Sequence, residues 1–198
     1  LSTSGLLNKQ IGGPSVKPYQ PPGLWEETNA GGNRGILTTY VEDSGDKLYR
    51  RSLYTFWKRT LPPPSMAIFD APNRDLCEVR RQKTNTPLQA LALQNDVQVL
   101  ECAKVLSSQI SEEDLPDEEA VRALFQHVLL REPSDNEMDL LVDYHQECVE
   151  KFESNEEDAI KLLEVGEADP KEEKQTETAA LMMVAQVLYN LDETITKE

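Results

Sequence analysis

The chain has 198 residues and a mass of 22.4 kDa, long enough for one sizeable hydrophobic core or two small ones. Hydrophobic residues make up 38%, mean hydropathy is -0.55, and no apolar run approaches the roughly 20 residues that a membrane helix needs. This reads as a soluble chain with no membrane span. The net charge of -16 is uneven: residues 1–100 carry +3 and residues 101–198 carry -19. Such an acidic half repels phosphates and argues against nucleic-acid binding.

Residues 1–45 are punctuated by Gly12-Gly13-Pro14, Pro21-Pro22-Gly23 and Gly31-Gly32, which predict turns and extended pieces. The aromatics Tyr19, Trp25 and Tyr40 predict that this arm is packed on a core, because a disordered arm rarely carries them. Leu48, Tyr54, Phe56 and Trp57 fall at helix-compatible spacings and predict a helix over 45–60, ended at Leu61-Pro62-Pro63-Pro64. Phe69 to Asn73 reads as a turn before a short helix around Arg74–Arg81. Thr86 is a candidate N-cap with Pro87 at the first helical position. The stripe Leu88, Leu91, Ala92, Val99, Cys102, Leu106 and Ile110 predicts one long helix. Asn95-Asp96 interrupts it, and Asp96 is a candidate cap for a second segment.

After Pro116, Val121, Leu124, Phe125 and Val128 mark one amphipathic helix, which stops at Arg131-Glu132-Pro133. Ser134-x-x-Glu137 is a capping-box pattern that opens the next helix. Its buried stripe is Met138, Leu141, Val142, His145, Cys148, Val149 and Phe152. A short helix over Glu157–Val165 with Gly166 as C-cap and a final helix over Thr178–Asn190 complete the chain. The predicted class is all-α: a helical bundle with a long Pro/Gly-rich irregular N-terminal segment packed on it. The helices beginning near Pro87, Glu118, Asp135 and Thr178 form the bundle. Residues 1–198 read as a single domain, 1–45 being the irregular arm and 46–198 the bundle. A short extended pairing around Ile36–Val41 is the one strand-like feature allowed for.

The strings Gly12-Gly13-Pro14-Ser15-Val16-Lys17-Pro18-Tyr19, Tyr49-Arg50-Arg51-Ser52-Leu53-Tyr54-Thr55-Phe56-Trp57-Lys58-Arg59, Phe69-Asp70-Ala71-Pro72-Asn73-Arg74 and Arg80-Arg81-Gln82-Lys83-Thr84-Asn85-Thr86-Pro87-Leu88-Gln89, with the ending Leu188-Tyr189-Asn190-Leu191-Asp192-Glu193, are specific. They resemble the planctomycete cytochrome-c-associated domain, domain-of-unknown-function family 1553. The resemblance implies the C-terminal module of a large secreted or cell-envelope protein. Its partners would be the upstream domains of the same polypeptide, a cytochrome-c-like domain and a companion domain, with polysaccharide as a further candidate. It also implies a periplasmic or extracellular location. It carries no catalytic residues and no cofactor. Two departures stand out: Gln94, where a leucine is expected, and the acidic stretch over 153–177.

The richest basic-aromatic block is Arg50, Arg51, Tyr54, Trp57, Lys58 and Arg59. On a helix, Arg50, Tyr54 and Trp57 would share one face, suited to stacking on sugar rings and to forked hydrogen bonds with sulfate or carboxylate. Otherwise the aromatics are core and the arginines pair with the acidic half. Asp70, Asn73, Arg74, Arg80, Arg81 and Asn85 form a polar group that could bind an anion or, alternatively, stabilise a turn. At least one arginine of the two groups is expected to form a bidentate pair with a carboxylate. His127, His145 and Cys148 are too few and wrongly spaced for zinc, so no metal is expected. Cys77, Cys102 and Cys148 form no disulfide framework, although one pair could join, and the chain lacks the C-x-x-C-H of a c-type haem. The Asp70 group supplies no nucleophile next to a base, and catalytic residues stay unassigned. The leading reading is a non-catalytic binding or scaffold module of a multidomain protein linked to cytochrome-type electron transfer or polysaccharide use. The alternative is a polysaccharide-acting hydrolase or lyase whose site is shared with an upstream domain.

Overall fold

The computed structural model describes residues 1–25, 39–72, 74, 77, 79–80, 83–169 and 174–196. The chain is all-α. Among the described residues no strand forms, only isolated bridges. Contacts gather it into two compact units, Leu1–Leu6 with Leu93–Glu198, and Leu7–Ala92. Residues 46–92, expected in the bundle, group instead with the irregular arm.

The helical unit contains α3 (Val97–Ser111), α4 (Asp117–Leu129), α5 (Asp135–Ser154), α6 (Glu156–Leu163), α7 (Gln175–Tyr189) and α8 (Asp192–Ile195). Helix α7 is its centre and packs against α3, α4, α5 and α6. Ala179, Ala180, Leu181, Met182, Val184, Ala185 and Leu188 on it are all fully buried. A helix that is apolar nearly all round is stable only when surrounded, and its three alanines let neighbours come close. The neighbours present narrower stripes: Cys102, Ala103, Leu106 and Ile110 from α3, Val121, Leu124, Phe125 and Val128 from α4, and Met138, Leu141, Cys148 and Phe152 from α5. The N-terminal residues join this core, with Leu1 and Leu6 packed on it and the Thr3 hydroxyl 2.7 Å from the Tyr189 hydroxyl.

The boundaries have local causes. Asp96 caps α3 by accepting from the backbone N–H groups of Gln98 and Val99, so the predicted long helix is two: α2 (Pro87–Asn95) ends there. Bundle packing begins with α3, not at Pro87, since Leu88 and Leu91 on α2 are exposed. Leu130 takes a left-handed conformation that ends α4, and the Ser134–Glu137 capping box is fully formed. Glu164 caps α6 at its C-terminus. Gly166, assigned that role from sequence, lies further on at φ +78°.

The irregular unit corrects one expectation outright. No helix spans 45–60; the segment holds only 3-10 turns at Gly45–Lys47 and Ser52–Tyr54. The physical reason is competition for its backbone groups. Asn8 N–H donates to the Tyr49 carbonyl, Val16 N–H to Tyr54, and Phe56 N–H to Val16. These bonds draw the segment into extended pairing with the N-terminal arm, which suits its aromatic and β-branched residues. One short helix was not foreseen: α1 (Pro64–Ile68) starts on the last proline of the triple, where a missing N–H costs nothing. The turn helix expected over Arg74–Arg81 and the pairing over Ile36–Val41 lie largely outside the described residues. Those described within them (Arg74, Cys77, Val79, Arg80; Thr39, Tyr40, Val41) are in neither helix nor strand.

Candidate binding site

Arg50 organises the arm. Its side chain is 7% exposed, and its guanidinium donates to the carbonyls of Gln10 (3.2 Å), Gly12 (2.6 Å) and Pro14 (3.1 Å). The same group lies 3.8 Å from the centre of the Tyr54 ring, and the Tyr54 hydroxyl accepts from the Gly12 N–H at 2.8 Å. Gly12 and Gly13 both have positive φ, which turns successive carbonyls toward one point. A cation with several planar donors fills that point. Arg50 and Tyr54 are therefore structural, a clamp on the Gly-Gly-Pro turn. The partners of the Arg50 guanidinium are carbonyls of its own unit.

Beyond the turn, Trp25 is 2% exposed and packs on Tyr40 (5.2 Å between ring centres) and Phe56 (5.9 Å). Its indole N–H reaches the Gln20 amide oxygen, and the Lys58 ammonium lies 4.4 Å from the ring centre. The arm's aromatics Trp25 and Tyr19 are thus buried and half-buried as expected, and the ring contacts of Trp25 are to residues of its own unit.

Trp57 is half-buried, and the Arg74 guanidinium lies 4.6 Å from the centre of its ring. Arg74 is exposed and holds φ +63°. The two are 17 positions apart in sequence, so it is the turn after α1 that brings them together. Arg51, Arg59 and Arg80 are exposed as well, as is Asn85; Asn73 and Arg81 lie outside the described residues. Because no helix forms, Arg50, Tyr54 and Trp57 do not share a helical face. The block splits into a clamp, Arg50 with Tyr54, and a second pair, the half-buried Trp57 with the exposed Arg74.

Asp70 accepts from both the backbone N–H and the hydroxyl of Thr84, each at 2.8 Å. The hub beside it is Gln89, 1% exposed. Its amide N–H donates to the Ile68 carbonyl (2.9 Å) and the Thr84 hydroxyl (3.1 Å), while its amide oxygen accepts from the Thr86 N–H. With the Gln89 N–H returning to the Thr86 hydroxyl, Thr86–Gln89 is a capping box on α2. Sequence analysis placed Asp70 in a turn network but missed Gln89. The Thr-x-x-Gln spacing behind Pro87 was the available signal.

In the helical unit two further groups went unnoticed. Lys104 on α3 is 2% exposed, and its ammonium donates to the carbonyls of Leu163 (3.1 Å), Val165 and Ala168. Glu101, one turn earlier, accepts from the Ala168 N–H at 2.7 Å. Burial pulls the Lys104 pKa below the ordinary lysine value, while Glu101 and Asp169 oppose that shift. A cavity of about 200 Å³ opens beside it, lined by Ser108, Glu112 and Asp169 among others. With all three N–H groups engaged, Lys104 has no lone pair to offer as a nucleophile. Arg131 makes two bidentate pairs, with Glu137 (2.7 and 3.0 Å) and Glu193 (2.8 Å twice). This forked arginine lies in the acidic half and joins the end of α4 to the starts of α5 and α8. The three cysteines are free, Cys77 exposed and Cys102 and Cys148 buried.

These features define an all-α chain in which Arg50, Lys104 and Arg131 serve as structural clamps. The family model for PSD1, protein of unknown function (DUF1553), matches residues 1–145, and the chain belongs to this family. The match ends within α5, so α6 to α8, with the ending Leu188–Glu193, lie beyond it. Comparisons with curated proteins and with solved structures find no match.

Proposed function

We propose that this chain is a non-catalytic binding or scaffold module of a larger periplasmic or extracellular protein, one linked to cytochrome-type electron transfer or polysaccharide use. The observation that carries the reading is the division of the basic-aromatic block. Arg50 is committed to three backbone carbonyls, whereas Arg74 stands exposed over a half-buried Trp57, with Arg51 and Arg80 exposed on the same unit. An indole face next to guanidinium groups suits stacking on a sugar ring that bears carboxylate or sulfate, and the unit Leu7–Ala92 carries +4 in sequence. The test is incubation of the full chain with a uronate-rich or sulfated polysaccharide. The reading expects retardation of the chain in affinity electrophoresis and no release of reducing ends. Release of reducing ends, or equal migration with and without polysaccharide, contradicts it.

A further inference from the structure

His145 on α5 is a polar side chain buried in the helical unit. It is 1% exposed, and neither ring nitrogen has a hydrogen-bond partner. A buried imidazole ordinarily donates from one nitrogen and accepts at the other. Here the ring sits in the stripe between Leu141 and Cys148, on the face of α5 that packs against α4 and α7.

The groups around it do not provide for a positive charge. On its own helix Tyr144 and Cys148 flank it, both held in their neutral forms by burial. From α4, Asp117 is the charged group whose field reaches the ring, and it only partly opposes the burial that lowers the histidine pKa. From α7, Glu177 couples to Asp117, Asp114 and Lys174. The charges of α6, Glu156, Glu157, Asp158 and Lys161, are exposed. Among the described residues no group of three or more His, Cys, Asp or Glu is arranged to hold a metal ion, so ligation does not account for the ring.

We propose that His145 is an acid-sensitive latch: the α4–α5–α7 packing closes around a neutral imidazole and loosens when the ring takes a proton. The sign follows from burial. A group whose folded pKa lies below its unfolded value leaves stability unchanged above the unfolded pKa. Below it, the unfolded chain binds a proton that the folded one refuses. The loss begins near pH ~6.5, the ordinary histidine value, and deepens as pH falls toward the lowered folded pKa. The folding equilibrium constant falls by up to about tenfold per pH unit through that window.

The experiment is urea denaturation of the full chain at intervals between pH 7.5 and 5, for wild type, His145→Leu and His127→Gln. His127 is exposed on α4 and serves as the control. The 36 Asp and Glu residues give every variant a common pH dependence, so the difference between curves is what counts. The proposal expects His145→Leu to remove the acid-side loss relative to wild type, and His127→Gln to keep it. Parallel wild-type and His145→Leu curves overturn it. Should His145→Leu not fold, the ring carbon resonances of His145 in the wild-type chain decide: titration well below the ordinary histidine range supports the latch, and titration at the ordinary value overturns it.

Discussion

At the scale of single residues, Arg50 and Arg51 are adjacent and both basic, yet they do opposite things. Arg50 is buried on three carbonyls and a tyrosine ring; Arg51 is exposed. Arg50→Ala strands those carbonyls and the ring. Charge-assisted bonds contribute about 1.5–3 kcal/mol each, partly recovered by water reaching the turn, so we expect a loss of about 2–4 kcal/mol in urea denaturation. Arg51→Ala should stay within about 0.5 kcal/mol of wild type. Equal effects would remove the distinction. That distinction was not legible in the sequence, because a helix over 45–60 would have put Arg50, Tyr54 and Trp57 on one face. What decides it is a long-range pairing of 8–16 with 49–56, which no local periodicity reports.

Gly166 poses a second question at this scale. Its φ is +78°, and a Cβ placed there would lie 2.5 Å from the Glu101 side-chain carboxyl carbon. Gly166→Ala therefore meets both backbone strain, about 1–2 kcal/mol, and a collision with a buried group. In a Glu101→Ala background the collision vanishes and the strain remains. A double-mutant cycle should show Gly166→Ala costing less there, with coupling above about 1 kcal/mol. Additive losses would mean that the loop over 164–169 is not held against Glu101. Glycine at this point was read from sequence as a helix cap; the close approach of α3 was invisible because it joins residues 65 positions apart.

Among the elements, those opened by a capping side chain were the most legible. Asp96, the Ser134–Glu137 box and the stripes of α4 and α5 were readable because cap and apolar period lie within a few residues. The join of α4, α5 and α8 through Arg131 was not, since Glu193 is 62 positions away. It has a measurable signature. Arg131 first, then the Ser134 N–H and hydroxyl, hold the Glu137 carboxyl down at about 2. A folded pKa below the unfolded one gives stability that is present above about 4.5, the unperturbed glutamate range, and is lost as pH falls toward 2. In Arg131→Gln, Glu137 should titrate closer to the ordinary value by NMR, with the capping box keeping part of the depression. An unchanged Glu137 titration would mean the fork is not formed in solution.

For the whole molecule, charge set residues 1–100 apart from an acidic 101–198, yet the sequence read as one domain whose irregular arm ends at 45, whereas the irregular unit runs to Ala92. The helical unit was legible as a bundle because its core is local stripes repeated; the unit Leu7–Ala92 was not, because arm and turn residues far apart in sequence build it. The proposed binding surface lies on that second unit and rests on Trp57 and Arg74 being available while Arg50 is not. The direct measurement is a calorimetric titration of the full chain with a sulfated or uronate oligosaccharide, alongside melting temperatures, for wild type, Arg74→Ala and Trp57→Ala. The account predicts binding that weakens at least several-fold in Arg74→Ala, falls with rising salt, and is lost without a matching fall in melting temperature. Wild-type affinity in both variants, or loss of binding only where the melting temperature collapses, would contradict it.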